Sequence, residues 1–378
     1  MQNFVNDFLR NLVGVWVCLY LFQPAVILAE VFEDPSLMSD GFAPISHVGV
    51  HNFQTYVLPK DQEQQKIEVF CQKLSLRYKD FGWKENPCLG VEWRADFISS
   101  DGHPLLYAVF GEGEDVTLFL GGVHPDELTP MHMAFQMGQH LATQKDFLEN
   151  KKVRVVVAPL VSPDGFLRSK LTRTNGFVDV NRNFLTLDWY DRAHQAWLGK
   201  KWQKRARYFP GFFPNTEIET LFQVHLIEEY HPDKLINIHA PLGFLDYDGP
   251  GDRRSRSMRT GEKRALELVH VIAKESRNYR VVDYSIYPGS LGNYAGHERG
   301  LPTVTLELES TDPRFVEKYW KKFSPGLMQS IQFPFKSRKK EDRLNRNLEA
   351  KGSYLHQWMK TLDQKPVFEL VPSDHSSQ

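Results

Sequence analysis

The chain reads as an α/β protein: a mixed, mainly parallel twisted sheet covered by helices on both faces, with a small N-terminal extension. Three observations predict this. Short β-branched runs near 116–123, 153–160, 235–239, 280–286 and 303–309 alternate with helical-period stretches at 128–145, 216–230 and 260–276. Two of the runs end in turn signals that carry a histidine, where central strands of such sheets present side chains to a crevice. Thr216 and Glu219 form a capping box ahead of the apolar face Ile218, Leu221, Phe222 and Leu226, a clean helix start.

In chain order, residues 1–29 read as a signal peptide. Leu12 through Ala29 carries no charge, follows Arg10, and ends on a small residue before Glu30. An uncleaved anchor is the alternative, since the stretch approaches the length of a minimal span. With cleavage, the chain is exported to the periplasm and keeps no stable membrane span. Residues 30–94 form the extension, where Ile67, Phe70, Leu74 and Tyr78 mark an amphipathic helix. Val91 to Gly111 reads as a hairpin turning at Ser99-Ser-Asp-Gly102. Cys71 and Cys88 either pair in an oxidising compartment, closing a loop worth about 3 kcal/mol, or remain two buried thiols. The main domain is 95–330, and 331–378 is a charged tail.

Composition excludes some functions. The 378 residues are 41% hydrophobic and 25% charged, ordinary for a globular chain, and the net charge of −1 leaves no footprint for nucleic acid. The basic runs at 200–207 and 253–256 read as solvated surface.

Chemistry begins at His124-Pro-Asp-Glu127, which places an imidazole and a carboxylate three residues apart where a buried run meets a loop. Both groups can meet one tetrahedral ion. An isolated His-x-x-Glu recurs by chance in polar turns, so other segments must decide. His239, closing Leu235-Ile-Asn-Ile-His239, is the candidate third ligand or a hydrogen-bonded core histidine. On the alternating run Thr303–Glu309, Thr305, Glu307 and Glu309 share one side, and Glu307 suits a general base that takes a proton from the attacking water and returns it to the leaving amine. Arg173 suits an oxyanion stabiliser, Arg182 a fork for a terminal carboxylate, and Asp179 an acceptor for the second ring nitrogen of a metal-bound histidine.

The whole set resembles the zinc carboxypeptidases of the funnelin type over roughly residues 95 to 312. Gly122-Val-His124-Pro-Asp-Glu127 is similar to their first ligand pair, Ser162-Pro-Asp-Gly165 and Val178-Asp-Val-Asn-Arg-Asn183 to their loop motifs, Pro214–Thr220 to the helix start before their third ligand, and Thr305-Leu-Glu307-Leu to the segment of their catalytic glutamate. The resemblance implies one zinc ion per chain at His124, Glu127 and His239, oxyanion stabilisation by Arg173, carboxylate binding by Asn181 and Arg182, acid–base work by Glu307, and a mobile tyrosine over the terminal residue at Tyr287. Tyr287–Gly296 and His239–Gly243 look like the bacterial murein-peptide branch of amidases and shape-determining DL-carboxypeptidases. That implies peptidoglycan peptides, or another peptide with a free C-terminus, as partner, and the γ-D-glutamyl–meso-diaminopimelate bond as target. Two other readings stand beside it: a zinc acylase of the desuccinylase or aspartoacylase kind, and a wall-peptide binder without turnover.

Overall fold

Seven strands form one sheet in the order β1-β3-β2-β4-β7-β5-β6. The computed structural model describes residues 53–250 and 260–335, apart from 169, 172, 174 and 175. The signal-peptide segment, the start of the extension, the basic run at 253–256 and the charged tail from 336 lie outside the described residues.

The strands are β1 (Ala108–Phe110), β2 (Asp115–Leu120), β3 (Val153–Ala158), β4 (Lys234–His239), β5 (Phe244–Tyr247), β6 (Val281–Val282) and β7 (Thr303–Glu307). The neighbours β3-β2-β4-β7 run parallel, while β1 on β3 and β5 on β7 are antiparallel. The sheet is therefore mixed and mainly parallel, as the alternation predicts. Buried on both faces, the inner strands need apolar residues at successive positions. Phe119, Val155, Val157, Ile236 and Ile238 join one core with helices α2 (Leu128–Ala142), α7 (Thr260–Glu275) and α8 (Val316–Gln332). Leu118, Leu120, Val156, Ala158 and Leu235 join the opposite core with α6 (Ile218–Tyr230).

Helix α1 (Lys60–Lys79) buries Ile67, Phe70, Leu74 and Tyr78, the stripe read from the sequence, against Met131 and Phe135 of α2. The hairpin forms through bridges Arg94–Tyr107 and Ile98–Pro104, with Gly102 at φ +80°. Cys71 and Cys88 are disulfide-bonded, resolving that alternative. Three short helices, α3 (Lys145–Lys151), α4 (Pro163–Leu167) and α5 (Trp189–Leu198), complete the described set.

Three expectations need correction. Helix α6 starts at Ile218 with Glu217 as its cap position and no side-chain capping bond. Instead of a Thr216–Glu219 box, Asn183 Oδ1 accepts the backbone N–H groups of Thr216 and Glu217 at 2.9 and 3.1 Å, so a distant amide satisfies donors that local capping would have served. Strand β7 ends at Glu307, and Glu309 lies beyond it, paired with Lys322. The run expected at 280–286 is a two-residue strand, because Tyr284–Tyr287 turn toward the cavity described next.

Candidate metal centre and its cavity

The three proposed ligands come from two strand ends. His239 is the last residue of β4, and His124 and Glu127 occupy the loop that carries the chain from β2 into α2. Their side chains are buried and convergent. Nδ1 of His124 lies 3.1 Å from Nδ1 of His239 and 2.9 Å from Glu127 Oε1, and His239 Nδ1 lies 2.9 Å from Glu127 Oε2. All three donor atoms lie within 4.8 Å of one another.

That geometry fits zinc. Tetrahedral bonds of 2.0–2.1 Å put ligand atoms about 3.3 Å apart, so these donors need move only a few tenths of an ångström. Two imidazole nitrogens and one carboxylate oxygen also form the donor set of catalytic zinc sites that keep a fourth position open. Behind the ligands, His124 Nε2 faces Asp179 Oδ1 at 3.0 Å, and His239 Nε2 meets the side-chain amide of Asn237 at 2.8 Å. Each ring is thereby turned to offer Nδ1 to the centre. Burial pushes the Glu127 carboxyl up, but the two imidazoles outweigh it and hold it well below its ordinary range.

A cavity of about 450 Å³ opens beside these donors and is lined by every residue expected of the site: His124, Glu127, Arg173, Asn181, Arg182, His239, Tyr287 and Glu307. Glu307 ends β7 directly beside His239, its register partner. Its Oε2 accepts the Leu242 N–H at 3.3 Å, and burial, followed by the charge of Glu127, pushes its pKa up to about 8. Arg173 donates to Glu127 Oε1 at 2.9 Å and reaches Asp179 Oδ2 at 3.5 Å. Asn181 Oδ1 accepts the Leu291 N–H at 2.9 Å.

Arg182 is 9% exposed, and its guanidinium lies 5.0 Å from the ring centre of Trp202 and 4.7 Å from that of Tyr287. Its Nε has no partner. The backbone beneath is fixed by Trp189 Nε1 donating to the Arg182 carbonyl at 2.9 Å and by Phe184 N–H donating to Gly289 O at 3.0 Å. Gly289 is required there: at φ +72° a Cβ would stand 2.0 Å from the Arg182 carbonyl oxygen.

Sequence reasoning missed Asn237, Asp246, Asp248 and Trp202, which also line the cavity. Asn237 had a signal, lying two residues before His239 on a strand and so on the same face. Asp246 and Asp248 needed β5 to be recognised, and Trp202 arrives on a loop with no periodic mark.

The zinc carboxypeptidase family pattern matches residues 98–322, more than half of the chain. No curated protein matches it. Among solved structures, bovine thrombin-activatable fibrinolysis inhibitor in complex with tick carboxypeptidase inhibitor superposes with TM-score 0.52 at 16% identity, covering 71% of this chain and 94% of that one. Carboxypeptidase A from Helicoverpa armigera gives TM-score 0.52 at 15% identity, covering 74% and 75%. Murein-tripeptide amidase MpaA from Escherichia coli O157 gives 0.44 at 22% identity, covering 64% and 91%. A pattern match over that span, on a sheet of this topology and with a zinc-compatible donor set, makes this chain a member of the zinc carboxypeptidase family.

Proposed function

We propose that this zinc metallocarboxypeptidase removes the C-terminal residue of peptidoglycan peptides, cutting the γ-D-glutamyl–meso-diaminopimelate bond. The observation that carries the exopeptidase reading is Arg182, a buried guanidinium packed against two adjoining aromatic rings, with an unpartnered Nε, in the same cavity as Glu307. A fixed, partly unsatisfied cation is stable there when a substrate carboxylate meets it, and a free carboxylate distinguishes a terminal residue from an internal one. Asn181, beside it, supplies a further hydrogen bond to that carboxylate.

Zinc, when bound, supplies Lewis-acid polarisation and activates water. The remaining work falls to side chains. Glu307 takes a proton from the attacking water and returns it to the leaving amine, a role suited by a pKa raised toward neutrality. Arg173, anchored by Glu127 and Asp179, meets the oxyanion without having to reorganise. Tyr287 packs against Trp202 at a 45° tilt with ring centres 4.8 Å apart and covers the terminal residue.

The choice of wall peptides is supported by the likeness of Tyr287–Gly296 and His239–Gly243 to the murein-peptide branch. Export is supported by the apolar segment Leu12–Ala29 and by the Cys71–Cys88 disulfide, which belongs to an oxidising compartment. Mass spectrometry of wall peptides before and after incubation with zinc-loaded protein tests the proposal. Loss of one diaminopimelate residue is expected, and Glu307→Gln is expected to slow that loss by on the order of 10²-fold while keeping zinc. Cleavage of N-acyl amino acids with wall peptides untouched would point to the acylase reading. Binding without turnover would point to the inactive binder.

A further inference from the structure

The basic run 200–207, which its composition alone marks as solvated surface, lies on one wall of the cavity. It follows α5 and brings three exposed cations there, Lys201, Arg205 and Arg207. None of them takes part in the chemistry assigned above. The loop is held from behind: Trp197 Nε1 donates to the Arg205 carbonyl at 2.8 Å, and the Lys204 N–H donates to the Trp197 carbonyl at 3.1 Å.

Side-chain contacts along this wall run in a definite order. Arg182 lies against Trp202, and Trp202 stacks on Tyr208 with ring centres 5.8 Å apart. Tyr208 in turn meets Arg173, whose guanidinium is 5.2 Å from its ring centre, and Arg207, at 5.4 Å. Arg207 then reaches Asp126, the neighbour of the metal-ligand candidate Glu127, at 3.4 Å. Lys201 marks the opposite end, 4.5 Å from the ring centre of Tyr287. A peptide with its terminal carboxylate on Arg182 and its scissile carbonyl at Arg173 therefore sends the preceding residue onward, toward Arg207.

We propose that Arg207 binds a carboxylate carried by the residue before the scissile bond. This rests on the exopeptidase reading and adds to it an anionic contact on the far side of the bond from Arg182. In a γ-D-glutamyl linkage that group is the α-carboxylate, which the linkage leaves free. In an α-linked peptide it is the side chain of aspartate or glutamate.

Three observations support the assignment. The Arg207 side chain is 48% exposed and commits one of its five donors to Asp126, with no other hydrogen bond among the described residues. So exposed and long a pair is weak, and the fork can turn to a ligand at little cost. The Tyr208 ring supports the guanidinium at the cavity wall, which limits the freedom a ligand must remove. Charge balance points the same way. Residues 200–207 hold five cations and no acid, and Lys201 and Arg205 have no ion pair among the described residues. Burial, and then the charge of Arg182, pulls Lys201 below its ordinary value, so this wall carries positive charge that an anionic ligand would offset.

Calorimetric titration tests this on the zinc-loaded full chain carrying Glu307→Gln, which holds a peptide while cleaving it slowly. The ligands are two pairs of peptides ending in diaminopimelate. One pair is γ-linked through D-glutamate, with its α-carboxylate free or amidated; the other is α-linked through L-glutamate or L-glutamine. The free acid of the γ-linked pair is expected to bind about 5- to 20-fold more tightly than its amide, between the worth of an exposed ion pair and that of a charge-assisted hydrogen bond. Arg207→Gln should lower that ratio to about twofold or less with zinc content unchanged. The same fall is expected in the Asp126→Asn background, where no unpaired acid is left to repel the ligand. Lys201→Gln removes an equal charge from the other end of the loop and should leave the ratio within about twofold of its parent. Equal affinities for acid and amide in both pairs would overturn the proposal, as would a ratio that survives Arg207→Gln or falls as far in Lys201→Gln. An acid preference confined to the α-linked pair would keep Arg207 in its role and overturn the choice of wall peptides. Release by the wild-type chain separates the readings: the same kcat/KM on every peptide overturns this inference alone, and no release from any overturns the exopeptidase reading along with it.

Discussion

Replacing Asp179 with asparagine isolates the role of one buried charge. Asp179 Oδ1 faces His124 Nε2 at 3.0 Å and also accepts the Asn181 N–H at 3.0 Å, while Oδ2 lies 3.5 Å from Arg173. Asparagine keeps an oxygen for the first two partners, so the short turn at Val180–Arg182 stays capped. What disappears is the negative charge, which makes the hydrogen bond to His124 charge-assisted and raises the basicity of its Nδ1. Losing such a partner costs about 10- to 100-fold in metal affinity, or about 1.4–2.7 kcal/mol. Part of this effect passes through Arg173, which would then meet an amide in place of a carboxylate. That share is substantial, because the Arg173 charge acts on Asp179 ahead of that of His124. Competition with a chromogenic chelator gives the zinc Kd of both proteins, and melting of the metal-free forms checks that the fold is retained. An affinity within twofold of wild type, on an intact fold, would refute the orienting role.

Arg182→Lys should lower kcat/KM on free-carboxylate peptides about 10- to 100-fold, chiefly through KM, with zinc content unchanged, because a point charge replaces a fork packed against Trp202 and Tyr287. Steady-state kinetics decides, and unchanged KM removes Arg182 from the site. Gly289→Ala should destabilise by at least about 1–2 kcal/mol from its positive φ alone and raise KM by displacing the Arg182 backbone. Thermal melting and kinetics read the two effects separately, and a variant matching wild type in both contradicts the packing argument. Asp246, pushed up to about 8, is protonated in the folded state at pH values where the unfolded chain has lost the proton. Its contribution to stability is therefore fully present below about pH 4 and lost as pH rises through 8. The melting temperature of the metal-free protein should fall between about pH 5 and pH 9, less steeply in Asp246→Asn; parallel curves would refute this.

The parts of the site legible from strand pattern are those that end apolar runs, while Glu127, Arg173, Asn181, Arg182 and Tyr287 were legible through motif resemblance. His124, His239 and Glu307 each follow or close a strand whose β-branched residues announce it, and strand ends on a parallel sheet point to one crevice. Residues delivered by tertiary packing were not legible. Trp202 meets Arg182 across a loop, and Asn183 caps α6 from more than thirty residues away. Strand β5 was missed because Phe244-Leu-Asp-Tyr247 is four residues long and carries an acid that a buried strand seldom tolerates. The acid belongs to the cavity. Helix α8 did leave a trace, with Val316, Tyr319, Phe323, Leu327 and Ile331 at steps of three and four, but the charged residues between them resemble the tail that follows.

The most direct measurement of the central claim is the metal content of the natively purified protein by plasma mass spectrometry, repeated on His239→Ala. About one zinc per wild-type chain and a near-complete loss in the variant are expected, because His239 is one of the three grouped donors among the described residues. A wild-type chain that takes up no zinc after dialysis against the metal, or a variant that retains it fully, would contradict the account.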